Sequence, residues 1–329
     1  MIGRPRPHAL GIDIGSERIR VASVESGGGG TVRVRAVAAR PVPQAIADGP
    51  ARTELLAALI DEMRDELDTK TRRCVLAVGP SDASVHRAEY PVGMRGAERL
   101  RAARLELRHR LGEGEREPIV RIKPLDAAAG WYAVARVSRM ILHERRAIAR
   151  AAGLHLAAVD LESFAFRRVF PQADAVLDIG LHTSRLHLFA PDLPQTRSFE
   201  IGGEALTSAI AEDLDVTQHV AEERKRSIGL AGAGERAVRR LAELVRSAVA
   251  EGGAQTRAAE HGVARRLVVT GNGARLAGLA ARICEAAGYV QGHDVPAPLL
   301  LSGYPEGIQV HAAPDWALAV GLALWRRDA

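Results

Sequence analysis

Three glycine turns and a handful of carboxylates are the residues of this chain best suited to chemistry. In "LGIDIGSERIRVASVE", Leu10 to Glu25, an apolar run ends on Asp13-Ile-Gly15 and passes Ser16. It then resumes as an alternating segment through Ile19 and Val21. Strand, short turn and half-buried strand make a β-hairpin. "LDIGLHTSRLHLF", Leu177 to Phe189, repeats the device with Asp178-Ile-Gly180, then Thr183 and Ser184, then Leu186 and Leu188. Glycine at such a tip has two readings. It serves a plain turn, or it lets main-chain N–H groups approach a phosphate closely. Two copies in corresponding places divide the chain nearly in half. They predict two related lobes whose loop tips grip one phosphate chain from both sides.

The third turn, Gly271-Asn272-Gly273, follows the strand-like "RLVVT" and opens a helix, as a dinucleotide loop does. Its next glycine is Gly278, two positions late for G-x-G-x-x-G, and no βαβ unit follows. A Rossmann site is therefore set aside. The chain has no G-x-x-x-x-G-K-[ST], no G-x-S-x-G and no HExxH. Its eleven histidines are scattered, so no resident metal centre is expected.

The elements that must position these turns alternate between strand and helix, which predicts an α/β fold. "ARTELLAALIDEMRDELD" reads as a helix, "RCVLAVG" as a buried strand, and "SVHRAEYPV" and "WYAVARVS" as further strands. "RMILHERRAIARAAG" is a helix stopped by Gly153, "LHLAAVD" a strand, and "LESFAFRRVF" a helix. "GGEALTSAIAEDLD" and "TQHVAEERKRSIG" are helices, and a long one is expected over "ERAVRRLAELVRSAVAEGGAQTRAAEH". "SGGGG" at Ser26 to Gly30 reads as a turn between strands.

At 329 residues the chain exceeds what one core usually covers, so two lobes are the default. Lys70, Lys123 and Lys225 are the only lysines, so the net charge of +5 is carried almost wholly by arginine. The densest basic run, "RGAERLRAARLELRHRLGEGERE", holds five glutamates and no aromatic. Leu100, Ala103, Leu107 and Leu111 recur in it at helical spacing. It reads as a solvated amphipathic helix and not as a nucleic-acid surface. Cys74 and Cys284 lie far apart, which suits a reducing cytosol. "MIGRPRPHAL" has no apolar core of a signal peptide, and "WALAVGLALW" has about half the length of a membrane span. A soluble cytosolic protein is expected, held at a membrane only by a partner.

Two Asp-x-Gly hairpins followed by a Gly-x-Gly turn after a C-terminal strand resemble the actin-like ATPase superfamily. Within it the chain looks most like the PilM branch of type IV pilus assembly, which is related to FtsA. The resemblance runs over nearly the whole chain. It is carried by "GIDIGSERIRVASVE", "AGLHLAAVDLESFAFRRVF", "LDIGLHTSRLHL", "IGGEALTSAIAEDLDVTQHVAEERKR", "VVTGNGARLAGL" and "ALAVGLAL". It implies a two-lobed actin-like (ribonuclease H-like) α/β fold. Residues 1–83 and 153–173 would form the first lobe, 84–152 an inserted subdomain, and 174–329 the second lobe with a helical part at 201–262.

The resemblance also assigns residues. Asp13, Gly15 and Ser16 belong to the first phosphate loop, and Asp178, Gly180, Thr183 and Ser184 to the second. Gly202 and Gly203 fall in the nucleotide-binding set, and Gly271, Asn272 and Gly273 face adenosine. Carboxylates do not touch phosphate directly, so Asp13 and Asp178 would hold Mg²⁺ or its waters beside ATP. Glu222 and Lys225 match a pair that meets the nucleoside; their plainer reading is an i,i+3 helix pair. Glu162, with Asp160 close behind, matches the corner that orients water in line with the γ-phosphate. Its plainer reading is a helix N-terminal carboxylate favoured by the dipole.

The implied function is an ATP-binding cytoplasmic scaffold of a pilus or related secretion complex, with weak or no ATPase activity. Its expected partner is the cytosolic N-terminal peptide of a single-span, PilN-like inner-membrane protein, which makes it peripheral to the inner membrane. Self-association is a further expectation, and nucleic acid is not. "SVHRAEYPV" and "WYAVARVS" would frame the peptide groove. The chain departs from the PilM pattern after Glu106, where "RHRLGEGEREPIVRIK" replaces an Ile-Pro turn and an acidic stretch. Alternative readings are a small-molecule kinase of the superfamily, an FtsA-like division protein and a type II secretion L-type protein. No substrate-side base, C-terminal amphipathic helix or following span speaks for them.

Overall fold

The computed structural model describes residues 9–26, 32–43, 49–111, 118–230, 232–251, 265–292 and 315–326. The glycine turn expected after Ser26, residues 112–117 of the divergent segment, and the expected helix beyond Glu251 lie outside the described residues.

Two five-stranded sheets carry the fold, and they are built alike. The first contains β1 (Leu10–Ile14), β2 (Arg18–Ser26), β3 (Val32–Pro41), β4 (Arg73–Val78) and β8 (His155–Leu161), in the order β3-β2-β1-β4-β8. The second contains β9 (Ala175–Ile179), β10 (Ser184–Phe189), β11 (Pro194–Phe199), β12 (Arg266–Thr270) and β13 (Val290–Gln291), in the order β11-β10-β9-β12-β13. Each sheet opens with an antiparallel meander and closes with two parallel pairs. The repeated hairpin of the sequence therefore marks a repeated sheet.

Helices α1 (Pro50–Glu66) and α3 (Arg139–Ala151) cover the outer face of the first sheet through Leu56, Ile60, Met63 and Ile148. On the outer face of the second lie α5 (Gly203–Leu214), α6 (Gln218–Ile228), α7 (Glu235–Glu251) and α8 (Leu279–Ala287). In α7 the buried residues Val238, Leu241, Ala242, Val245 and Ala248 follow helical period, so one stripe faces the sheet.

Between the sheets lie α4 (Glu162–Val169) and α9 (Ala317–Ala323). One core joins Ala77, Phe166 and Phe170 to Val176, Phe189 and Val268 through these two helices. All seven residues of α9 are buried, as a helix apolar all round must be. The close fit rests on Gly11, where a Cβ would stand 1.9 Å from the Ala319 carbonyl oxygen. No described helix is long and apolar enough to cross a membrane.

A third sheet, β5 (Ala83–Glu89), β7 (Trp131–Val137) and β6 (Ile119–Asp126) in that order, packs with α2 (Gly96–Leu111) around Tyr90, Ala103, Leu107 and Tyr132. Strands β6 and β11 carry no clear apolar alternation. Both lie at sheet edges, where Pro124 and Pro194 and exposed polar side chains are tolerated.

Candidate functional site

The C-terminal ends of β1, β9 and β12 and the residues just after β4 and β8 converge on one cavity of about 360 Å³. Carboxyl ends of strands are where open α/β sheets place ligands. Asp13, Gly15, Ser16, Glu162, Asp178, Gly180, Thr183, Gly271 and Asn272 line it.

The two hairpin tips share one turn geometry. Gly15 N–H donates to the Arg18 carbonyl at 3.0 Å, and Gly180 N–H donates to the Thr183 carbonyl at 3.0 Å. The third turn lies against the second tip. Gly271 adopts φ +79°, and a Cβ there would stand 2.5 Å from Asp178 Oδ1 and 2.6 Å from the Ile179 carbonyl oxygen. Only glycine satisfies both the backbone and the space. A 3₁₀ turn over Asn272–Arg275 follows, and α8 begins only at Leu279; the helix expected to open at the turn thus starts later.

The remaining expected residues sit behind the cavity wall. Ser184 is fully buried and donates to the Ile201 carbonyl at 2.5 Å. Gly203 N–H and Glu204 N–H donate to the Gly180 and Leu181 carbonyls, each at 2.9 Å, which docks the Gly202-Gly203 start of α5 on the second tip. Lys225, itself buried, donates to the Gly203 carbonyl at 2.9 Å and to Thr207 at 2.6 Å, and pairs with Glu222 at 2.5 Å. The Glu222–Lys225 pair is thus part of the joint between α5 and α6, and not a surface pair. Asp160 pairs with Arg168.

Electrostatics set this cleft apart. Glu162 is pushed up to about 8, chiefly by burial; Arg185 opposes this, and Asp178 and Asp13 add to it. Asp178 is pushed up to about 6 by burial against the pull of Arg185, with Asp13 contributing. Burial also raises Asp13, opposed by Arg20, Arg185 and Arg145. The Glu162, Asp178 and Asp13 charges raise Arg185 against its own burial. Three crowded carboxyl groups are therefore balanced by guanidiniums.

Arg20 and Arg185 are the residues that sequence reasoning missed. Arg20 stands opposite Asp13 in the β1–β2 register, and Arg185 opposite Asp178 in the β9–β10 register. Their signal was legible, since the same interval follows the aspartate in both hairpins. Each reaches across to the other sheet. Arg20 donates to Asn272 Oδ1 at 2.6 Å, and Arg185 donates to Glu162 Oε1 at 3.0 Å. Asn272 in turn donates to Glu17 at 3.0 Å.

A larger cavity, about 630 Å³, lies between β5, the Leu161–Glu162–Ser163 corner and the β10–β11 hairpin. Both β5 and β11 are edge strands on its wall. Of the two strands expected to frame a groove, β5 lines this one, and β7 is the central strand behind it. Glu162 lines both cavities. Its Oε2 lies 4.0 Å from His187 Nε2, and neither atom has a hydrogen-bond partner. Burial lowers His187 to about 3, so this contact is no ion pair at neutral pH.

No family model and no curated protein matches the chain. Solved structures do. A chain of the PilM-PilN type IV pilus biogenesis complex is 25% identical, with a TM-score of 0.77 over 97% of this chain and 98% of that one. The ethanolamine utilization protein EutJ from Carboxydothermus hydrogenoformans is 16% identical, with a TM-score of 0.56 over 98% of this chain and 91% of its own. The two duplicated sheets with helices between them are thus an actin-like fold, followed from end to end.

Proposed function

We infer that this chain, an actin-like protein similar to PilM over nearly its full length, is a nucleotide-binding scaffold that joins a pilus or related secretion complex at the inner membrane. One observation carries the reading: two Asp-x-Gly hairpins from duplicated sheets, and a glycine turn lying on one of them, meet in a single cavity. In this reading ATP lies with its phosphates at Gly15-Ser16 and Gly180–Thr183 and its nucleoside toward Gly271-Asn272-Gly273. The Glu222–Lys225 joint, with Gly202-Gly203 and Ser184, holds the nucleoside side in shape.

The residues present fit Mg²⁺. It is bound through one or two carboxylates together with phosphates and waters, and Asp13 and Asp178 both line the cavity. Among the described residues no group of three His, Cys, Asp or Glu is placed to hold a metal alone, so the ion would arrive with the nucleotide. When bound it neutralises phosphate charge. Glu162 and Asp160 sit at the corner assigned to water, but burial keeps Glu162 protonated at neutral pH and Arg168 occupies the Asp160 carboxylate, so the chain's own residues favour holding ATP over cleaving it.

The partner in this reading is the cytosolic N-terminal peptide of a single-span, PilN-like protein, and membrane residence is borrowed from it. The 630 Å³ cavity and the open edges of β5 and β11 suit an extended peptide, which gains affinity by pairing with a strand edge. The bounds 1–83 with 153–173, 84–152 and 174–329, with the helical part at 201–262, belong to the same proposal. Fractionation of cells with and without the candidate partner tests it. The protein is expected in the membrane fraction only with the partner; membrane association that survives its deletion would refute the tether.

A further inference from the structure

We infer that the outward stripe of α3, Arg139, His143, Arg146 and Arg150, is a docking surface for the anionic headgroups of a lipid bilayer. The inference goes beyond the nucleotide site. It rests on the reading that the chain works at a membrane, and it assigns the face that lies against the lipid.

The spacing makes the stripe. Steps of four, three and four residues return to one side of a helix that turns every 3.6 residues, so the four basic side chains line up over about 16 Å. All four are exposed, whereas Ile148 and Ala149 on the other side of the helix are buried. Met140, 75% exposed, stands three residues from His143 on the same outer arc and sets an apolar contact beside the charges.

The stripe carries one sign of charge. Among the described residues Arg139, Arg146 and Arg150 have no carboxylate partner. Exposed arginines on other helices do: Arg226 pairs with Glu222, and Arg236 with Glu212. The only acidic residue of α3, Glu144, is half-buried and pairs with Arg145 at 3.0 Å. Asp61 and Asp65 are held by Arg64, which also donates to the Ala152 carbonyl just past the helix. A face of mixed sign is satisfied by its own pairs and water. A line of one sign on a convex helix matches the spread negative charge of a headgroup layer, which needs no shaped pocket.

The stripe also starts beside the proposed peptide groove. Ser138 N–H, just before α3, donates to the Asp82 carbonyl at 2.7 Å, next to Ala83 on the wall of the 630 Å³ cavity. Each arginine near an anionic surface adds about fivefold in binding, so three add about a hundredfold. That is weak alone and becomes effective once a partner tethers the chain.

Co-sedimentation of the full chain with vesicles, in the absence of any partner, tests the stripe. The vesicles are phosphatidylcholine alone, or phosphatidylcholine with about one-third phosphatidylglycerol, at about 50 mM and about 150 mM salt. Wild type is expected to bind only the anionic vesicles, and several-fold less at the higher salt. R139Q/R146Q/R150Q should lose about a hundredfold at low salt. R239Q/R240Q/R246Q removes the same charge from exposed positions on α7 and should bind like wild type. R146E, which reverses one charge within the stripe, serves where the triple variant fails to fold and should also bind more weakly. Equal loss in both triple variants would overturn the stripe, because net charge would then be the cause. So would binding that does not distinguish the two vesicles, or no wild-type binding at low salt. Capture of polyglutamate or duplex DNA in place of vesicles would overturn lipid docking in favour of a macromolecular acid. Each of these failures leaves the nucleotide site and the peptide tether standing, because neither ATP nor the partner is present in the assay.

Discussion

Glu162 and Arg185 meet across the cleft at 3.0 Å, the carboxylate at the start of α4 beyond the first sheet and the guanidinium on β10 of the second. The pair is asymmetric. Oε1 has the guanidinium, whereas Oε2 is buried 4.0 Å from His187 Nε2 and has no hydrogen-bond partner. The same residue lines both spaces that a nucleotide and a partner would use.

Its titration sets a pH dependence. Burial raises Glu162 from 4.5 to about 8 in the folded chain. Between those values the folded state holds a proton that the unfolded state has lost, so stability falls as pH rises through the window. Asp178, raised from 3.8 to about 6, acts in the same direction at lower pH. Urea unfolding from pH 5 to pH 8 should show this decline, and E162Q should flatten it. An unchanged slope in the variant would assign the decline to other groups.

Acid should act oppositely on α5 and α6. Partial burial alone would raise Glu222, but donors from Lys225, Thr207 and Arg226 win and hold it down to about 2. A lowered folded value gives stability that is present above about 4.5 and lost as pH falls toward 2. Acid titration of E222Q should show a smaller loss than wild type. Equal acid sensitivity would mean that the joint contributes little.

The seat of α9 predicts a sharp steric effect. Gly11→Ala would press a methyl group into the Ala319 carbonyl, at 1.9 Å in the unrelaxed geometry. Displacing a helix inside the central core should cost about 2–3 kcal/mol or more, read by chemical denaturation. A neutral effect would show that α9 shifts freely between the sheets.

Turnover should be slow. Burial raises Glu162 to about 8, so at neutral pH it holds a proton and cannot orient water as a carboxylate, and the isolated protein should hydrolyse ATP well below the typical enzyme value of about 10 s⁻¹. A phosphate-release assay checks this, and a rate near that value would overturn the scaffold reading.

The duplicated sheets were legible because the Asp-x-Gly hairpin is written twice in local sequence, with apolar period on either side of each turn. The central strands β1, β4 and β9 were legible for the same reason: burial on both faces leaves an apolar run. Strands β6 and β11 were not, because an edge strand with one wet face and a proline looks like loop. The loop aspartates and glycines were legible as a motif. The reach of Arg20 to Asn272 and of Arg185 to Glu162 was not, since each joins segments that only the packing of the two sheets brings together. Lys225 showed the converse. Its rarity marked it, but only the fold shows all of its contacts turned inward to Gly203, Thr207 and Glu222.

The central claim is that the two hairpins and the third turn form one nucleotide site, and calorimetry with ATP in Mg²⁺ tests it most directly. The wild-type chain should bind ATP, and Asp178→Ala should bind it more weakly, because Asp178 lines the cavity beside both Gly271 and Arg185. A wild-type chain that gives no heat with either ATP or ADP would contradict the account.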